Sequence, residues 1–332
     1  MAQVTVLGAG AWGTAFGQVV ADAGNDVMMW GIEPEIIDAI NTKHTNPVRL
    51  PVVKELPHSM RATLDRAEVV KDAEIIIVAI AAQFARQALE EFAGLIPSNA
   101  IVVSLMKGIE RSTDKRMDEV VTEALNLPME RFAAVSGPNL SKEVAQRQPA
   151  AAVVASVNRQ AAEKVAAAAT NDYFKMFVTD DVVGVEMCGS LKNVTALAVG
   201  MARGAGYGEN TAAMIETRGL AELTALGEAL GANPRTFSGL AGVGDLIATC
   251  GSPLSRNYTF GANLGKGMSV EEATAASNGV AEGVPTTAAV VALGKQYGVP
   301  TPLASAMNNV LEQGISCAEM LSQLFADGSI EE

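Results

Sequence analysis

Val4-Thr5-Val6-Leu7-Gly8-Ala9-Gly10-Ala11-Trp12-Gly13 opens the chain. An apolar run ends at Leu7, glycines follow in Gly-x-Gly-x-x-Gly spacing, and an Ala-rich stretch from Thr14 to Ala23 continues with helical character. This order predicts a strand, a tight turn and a helix, the first step of a dinucleotide-binding unit. Gly8 permits the turn, Gly10 lets the backbone approach a pyrophosphate, and Gly13 lets helix and strand pack closely. The free N–H groups of the helix N-terminus and its partial positive charge suit the anion. Gly8, Gly10, Ala11 and Gly13 are therefore expected cofactor contacts.

Working outward, 332 residues suffice for two domains, each with its own core. Apolar residues make up 49% and aromatics only 5%, an Ala/Val/Ile-rich balance that suits an α/β sheet and packed helices rather than a disordered chain. The net charge of −13 argues against nucleic-acid partners and anionic membrane surfaces. Any anionic ligand must then be held by a few local cations. The only histidines, His44 and His58, lie in a Pro-flanked loop-like stretch, so neither a His-based metal site nor a His general base is expected. Cys188, Cys250 and Cys317 form no Cys-x-x-Cys pair, which fits a reduced, cytoplasmic protein. No apolar run is read as approaching the ~18 residues of a membrane span, so no membrane insertion is expected. The first residues already read as a core strand rather than a signal peptide.

Continuous apolar runs at Gln3–Leu7, Asp26–Trp30, Ile75–Ile80, Ala100–Leu105 and Phe132–Val135 predict strands of one largely parallel sheet buried on both faces. Ala150–Ser156 and Lys175–Val178 extend it, and Met60–Leu64 reads as a short edge strand. After about Asp181 the pattern turns to Ala/Leu/Met-rich helices broken by Gly and Pro, clearest over Asn210–Leu230 and Thr287–Tyr297. The expected architecture is α/β: a Rossmann-like N-terminal domain over residues 1–181, then an all-helical domain over 182–332 that frays at Asp327–Glu332.

The residue just past the second strand of such a fold reads the adenosine ribose. Here it is Glu33, about twenty residues after the Gly-rich turn. A carboxylate accepts a hydrogen bond from the 2′-hydroxyl of NAD and repels the 2′-phosphate of NADP, which favours NAD. Arg49, in the following loop, is a cation that could fold back and serve NADP instead. Glu33 could also be only an N-terminal helix charge ahead of Pro34.

Further segments go beyond a generic dinucleotide fold. They are Lys107-Gly108-Ile109-Glu110, Ser136-Gly137-Pro138-Asn139, Gly189-Ser190-Leu191-Lys192-Asn193-Val194, Thr217-Arg218-Gly219-Leu220-Ala221-Glu222, Ala241-Gly242-Val243-Gly244-Asp245-Leu246, Ser255-Arg256-Asn257 and Ala281-Glu282-Gly283. In this order, from Val4 to about Val310, the chain resembles the bacterial type of NAD(P)-dependent glycerol-3-phosphate dehydrogenase. The resemblance implies reversible hydride transfer between glycerol 3-phosphate and dihydroxyacetone phosphate, running in the cell toward glycerol 3-phosphate for phospholipid synthesis. It also implies a homodimer, with the N-terminal domain carrying NAD or NADP and the helical domain closing the substrate site.

The same resemblance implies site residues. Lys192 matches the catalytic lysine, whose neutral amine accepts the alcohol proton and whose ammonium returns it. An unperturbed lysine has a pKa of ~10.4, so burial or nearby cations must lower it. Lys107 would polarise the carbonyl and touch substrate and cofactor, and Asp245 would orient Lys192 and the substrate. Asn193 and Thr249 match positions that hydrogen-bond substrate or lysine. Arg256 and Asn257 match the phosphate-binding pair, with Ser255 adding a hydroxyl, and the planar fork of Arg suits a phosphate. Arg256 also matches a cofactor position. Gly137 and Asn139 match the turn contacting substrate, Ser141 a cofactor contact, Val280 and Glu282 positions beside the cofactor and the closing loop, and Trp12 an aromatic common in the Gly-rich turn and so an expected cofactor contact. Arg218 matches a family position but reads as structural.

Each assignment has a plainer competitor: Asp245 could cap the helix after Gly244, Arg256 could serve a salt bridge, and Lys107 could be a solvent residue at a strand end. The chain also departs from the family pattern. Glu33 stands in a stretch where His or Arg is common, Arg49 where Tyr is frequent, and Asn139 and Ser141 where Thr or Ser and Ala are usual. Ala212 replaces a frequent basic residue and Glu216 an apolar one. Competing functions are a 3-hydroxy acid dehydrogenase of the same two-domain plan and a nucleotide sensor without turnover.

Overall fold

The computed structural model describes residues 1–277 and 281–325. Its strands are β1 Gln3–Leu7, β2 Asp26–Trp30, β3 Met60–Thr63, β4 Ile75–Val78, β5 Ile101–Ser104, β6 Ile109–Glu110, β7 Lys115–Arg116, β8 Phe132–Ser136, β9 Ala150–Ala155 and β10 Phe174–Thr179. Eight of them make one sheet in the order β10-β9-β8-β5-β4-β1-β2-β3, while β6 and β7 form a separate ribbon. The sheet is parallel except between β8 and β9, which run antiparallel through Val135↔Val154.

Burial explains why these strands were legible. β4 and β8 are buried at every position, as strands covered on both faces must be. At the edges the pattern alternates: Arg61 of β3 and Lys175 of β10 are exposed between buried neighbours, and Phe177 is exposed next to buried Met176. The eight sheet strands fall within about two residues of the expected runs, and Met60–Thr63 does lie at an edge.

The chain reverses its strand order between β1 and β4, and ligands of open α/β sheets bind in the crevice beyond the strand ends at that point. Gly8 ends β1 there, with φ +118°, and a Cβ on it would lie 2.6 Å from the carbonyl oxygen of Ala79, just past β4. A Cβ on Gly13 would lie 2.1 Å from the carbonyl oxygen of Gly8. No other residue lets the turn close so tightly.

Two compact units result, Met1–Lys107 with Arg116–Glu186 and Gly108–Lys115 with Met187–Glu332. The first holds the sheet. The second is helical apart from the ribbon segment, in which Ile109–Glu110 packs on helix Gly283–Tyr297. Its helices include Glu209–Ala229, Asp245–Cys250, Arg256–Gly265 and Pro302–Gln313.

Helix Val182–Gly204 corrects one expectation. Its 23 residues are long and apolar enough to cross a membrane, yet 94% of its most apolar window is buried in the fold. It is a core helix that also carries Glu186, Lys192 and Asn193. Its C-terminal half meets helix Arg256–Gly265 backbone to backbone. A Cβ on Gly261 would lie 2.0 Å from the carbonyl oxygen of Leu197, and one on Gly200 would lie 2.1 Å from that of Tyr258. This close crossing fixes Lys192 and Asn193 relative to Arg256 and Asn257.

Candidate active site

The Gly-rich turn delivers helix Ala11–Asp22 N-terminus first to the crevice. No side chain caps that N-terminus, so its N–H groups stay available to a ligand. A Cβ on Gly10 would meet nothing within 4 Å, in contrast to Gly8 and Gly13, so the space beside Gly10 can admit a pyrophosphate. Trp12 packs edge-on against Phe16, with ring centroids 5.5 Å apart, which seats the first helical turn on the core. These residues fit a dinucleotide.

Glu33 and Arg49, read from sequence as alternatives, are partners. The Arg49 guanidinium donates to the Glu33 carboxylate. Glu33 precedes helix Pro34–Lys43 but makes no capping bond with its side chain. A residue that the sequence reading missed holds this end together. Asn46, 1% exposed, donates through Nδ2 to the Ala9 carbonyl (3.0 Å) and to Thr14 Oγ1 (2.9 Å), and its Oδ1 accepts the Arg49 N–H (3.1 Å). A single Asn in a polar loop carries no periodic signal; only the Asn46-Pro47 dipeptide marks it as a turn residue.

Lys107 follows β5 at the carboxyl ends of the strands, and its ammonium donates to the Gly137 carbonyl (3.1 Å). It is thus tied to the turn after β8 rather than loose in solvent. Gly137 takes φ +151°, and a Cβ on it would lie 3.0 Å from the Ala151 carbonyl oxygen. Beside it, both amide atoms of Asn139 are buried with no hydrogen-bond partner among the described residues. An unsatisfied buried amide costs about 1–3 kcal/mol, so Asn139 stands ready for a polar ligand. Ser141 begins the short helix that follows.

In the helical unit, Lys192, Asp245 and Thr249 converge. Lys192 is 5% and Asp245 2% exposed, and the two form an ion pair. The Lys192 amine also donates to Thr249 Oγ1 (2.8 Å), and the Thr249 hydroxyl donates to Asp245 Oδ1 (3.3 Å). A π-helical turn over Leu240–Gly244 brings Asp245 to the start of its helix, and such turns recur at functional sites. The helix-cap competitor fails: Gly244 is the capping residue and the Asp245 side chain faces Lys192. Cys250 closes the same helix; burial, then the charge of Glu216, pushes its thiol above the usual range.

Arg256 is exposed and has no hydrogen-bond or ion-pair partner among the described residues, which removes the salt-bridge competitor. It opens a ten-residue helix that Ser255 caps by accepting the Tyr258 N–H (3.2 Å). A free guanidinium at a helix N-terminus is a phosphate site in chemistry and charge. Asn257 instead serves a buried network: it donates to Asn193 Oδ1 (2.8 Å) and accepts the Gly283 N–H (2.9 Å). Asn193 itself donates to the Gly189 carbonyl (3.4 Å). Glu282 immediately precedes helix Gly283–Tyr297. Val280 and Asp327–Glu332 lie outside the described residues.

The chain matches family models along most of its length. Residues 3–162 match the N-terminal domain of NAD-dependent glycerol-3-phosphate dehydrogenase and residues 181–322 its C-terminal domain. A Bifidobacterium longum subsp. infantis protein named glycerol-3-phosphate dehydrogenase, NAD(P)+, is 75% identical over 322 residues, covering 97% of each chain. A Corynebacterium aurimucosum protein of the same name is 49% identical over 325 residues, covering 98% of each. The crystal structure of glycerol-3-phosphate dehydrogenase from Coxiella burnetii superposes with a TM-score of 0.91 at 31% identity, covering 98% of each chain.

Proposed function

The chain belongs to the NAD-dependent glycerol-3-phosphate dehydrogenase family, and from that we propose that it interconverts sn-glycerol 3-phosphate and dihydroxyacetone phosphate with NAD(P). It is an oxidoreductase, and its product feeds phospholipid synthesis. Residues 1–181 carry the coenzyme and 182–332 carry the substrate and catalytic groups. The cytoplasm is its compartment and a homodimer its working form, the helical domain supplying an apolar contact. The buried Lys192–Asp245–Thr249 constellation carries the proposal.

The Gly8–Gly13 turn and the N-terminus of helix Ala11–Asp22 would hold the pyrophosphate, and Glu33 with Arg49 the adenosine ribose. The bound nicotinamide supplies hydride for reduction and takes it up in oxidation. Arg256 and the N-terminus of its helix grip the phosphate, a local positive site against the net charge of −13. Asn193 and Asn257 brace one another beside it.

For reduction, the Lys192 ammonium gives a proton to the carbonyl oxygen as that oxygen gains charge. Asp245 and Thr249 aim the amine and stabilise its charged form before transfer. In oxidation the neutral amine takes the hydroxyl proton back. Within the coenzyme-binding unit, Lys107 adds positive charge beside the Gly137 turn, and Asn139 offers a donor and an acceptor to a polar ligand there.

The Arg256 site favours a phosphate over the carboxylate of a 3-hydroxy acid, since its helix N-terminus and fork together match three oxygens. The test is steady-state reduction of dihydroxyacetone phosphate with NADH and NADPH in parallel, beside a panel of 3-hydroxy acids for oxidation. Turnover is expected with the triose phosphate alone. Turnover with a 3-hydroxy acid but not the triose phosphate would replace this function, and coenzyme binding without any turnover would make the protein a sensor.

A further inference from the structure

Glu33 and Arg49 stand in contact beyond β2, where this fold reads the adenosine 2′ position. A carboxylate alone there would repel NADP, and a guanidinium alone would waste its charge on NAD. The pair is half-exposed, with side chains 32% and 46% accessible, so its own strength is small and either member can exchange partners at little cost. A 2′-phosphate offers Arg49 a doubly charged, multidentate acceptor that a single carboxylate cannot match. A 2′-hydroxyl offers Glu33 a donor while Arg49 stays in place. Arg49 does not swing on a loose loop: its N–H is held by Asn46, whose amide is hydrogen-bonded to Ala9 inside the Gly-rich turn and to Thr14 one turn into the helix. The backbone that bears Arg49 is thus locked to the backbone that takes the pyrophosphate, and only the side chain is free to move.

We propose that Glu33 and Arg49 form an exchangeable ion pair that reads the adenosine 2′ position and sets the balance between NAD and NADP, with Asn46 as the residue that keeps the pair in register with the pyrophosphate turn. This rests on the dinucleotide-binding function proposed above. It means the sign of the coenzyme preference is set by the pair and not by Glu33 alone. Glu33 would read NAD, Arg49 would read NADP, and each would mask the other in the free protein.

The test measures dissociation constants for NADH and NADPH by nicotinamide fluorescence, and for AMP and adenosine 2′,5′-bisphosphate by calorimetry, on the parent, Arg49→Gln and Glu33→Gln. Both side chains are partly exposed, so the variants are expected to fold, and circular dichroism checks it. Arg49→Gln should weaken NADPH and the bisphosphate by roughly tenfold or more, the loss of a charge-assisted contact, and leave NADH and AMP within about threefold. Glu33→Gln should shift the ratio the other way, tightening NADPH relative to NADH. Equal changes for the two coenzymes in both variants would overturn the proposal while leaving dinucleotide binding intact. A parent protein that binds neither coenzyme would overturn the dinucleotide function itself, and the proposal with it.

Discussion

Replacing Lys192 by Met separates the chemistry of the amine from its part in holding the fold. Lys192 and Asp245 are buried together, so removing the amine leaves a carboxylate without its counter-charge. Breaking a buried ion pair on one side costs about 3–5 kcal/mol. At about 2–4 °C per kcal/mol for a unit of this size, the melting temperature should fall by roughly 6–20 °C. The double variant Lys192→Met/Asp245→Asn buries no charge, and Asn can still accept from Thr249. It should regain at least about half of the lost stability. Turnover should behave differently. Loss of a positioned acid–base group costs about 10²–10⁴-fold, or about 2.7–5.5 kcal/mol of barrier, in both variants alike. Calorimetric melting and dihydroxyacetone phosphate reduction at saturating NADH, on parent, single and double variants, give the comparison. Two results would refute the reasoning: a folded Lys192→Met variant with kcat within about threefold of the parent, or single and double variants of equal stability.

Three other outcomes follow from the same structure. Arg256→Ala should raise KM for dihydroxyacetone phosphate by about 10–100-fold, the worth of a charged hydrogen bond, and leave reduction of unphosphorylated dihydroxyacetone unchanged; an equal effect on both would remove the guanidinium from phosphate recognition. Glu186 is fully buried, and that burial, with Asp118 beside it and Arg116 only partly offsetting, holds its carboxyl protonated well above the usual range. Its stabilising share is therefore complete below the unfolded pKa near 4.5 and is lost as pH rises toward the folded value. Glu186→Gln, which mimics the protonated acid, should then raise the melting temperature by an amount that grows from pH 5 to pH 8; a gain that shrinks over that range would contradict the burial argument. Gly261→Ala drives a Cβ to 2.0 Å from a backbone oxygen, so it should destabilise by about 3 kcal/mol or more and cut turnover by displacing Asn193 from Asn257; a denaturation midpoint matching the parent would show that the crossing helices can part.

The sheet was legible because its strands are buried on both faces and therefore appear as unbroken apolar runs, and because the Gly-rich turn fixes where the order of strands begins. The helix start at Pro34 was legible because proline suits the first helical position. The ribbon Ile109–Glu110 with Lys115–Arg116 was not, since two-residue strands carry no periodicity. Helix Val182–Gly204 was underread because Glu186 and Lys192 interrupt its apolar run, and the partner of Lys192, Asp245, is distant in sequence. Lys192, Asp245 and Thr249 were each expected from sequence motifs, but the hydrogen-bond ring that joins them is long-range. Asn257 illustrates the reverse: expected at the phosphate, it spends its amide on Asn193 and Gly283. Glu33 and Arg49 were seen as rivals because sequence separation hides that the Asn46 loop folds them together.

The decisive measurement is the distance from the Lys192 amine to the carbonyl oxygen of dihydroxyacetone phosphate in a crystal structure of the ternary complex with coenzyme. A separation within hydrogen-bond reach, about 2.6–3.2 Å, with the phosphate on Arg256, is the expected result. An amine still turned wholly to Asp245 and Thr249, with another side chain at that oxygen, would contradict it.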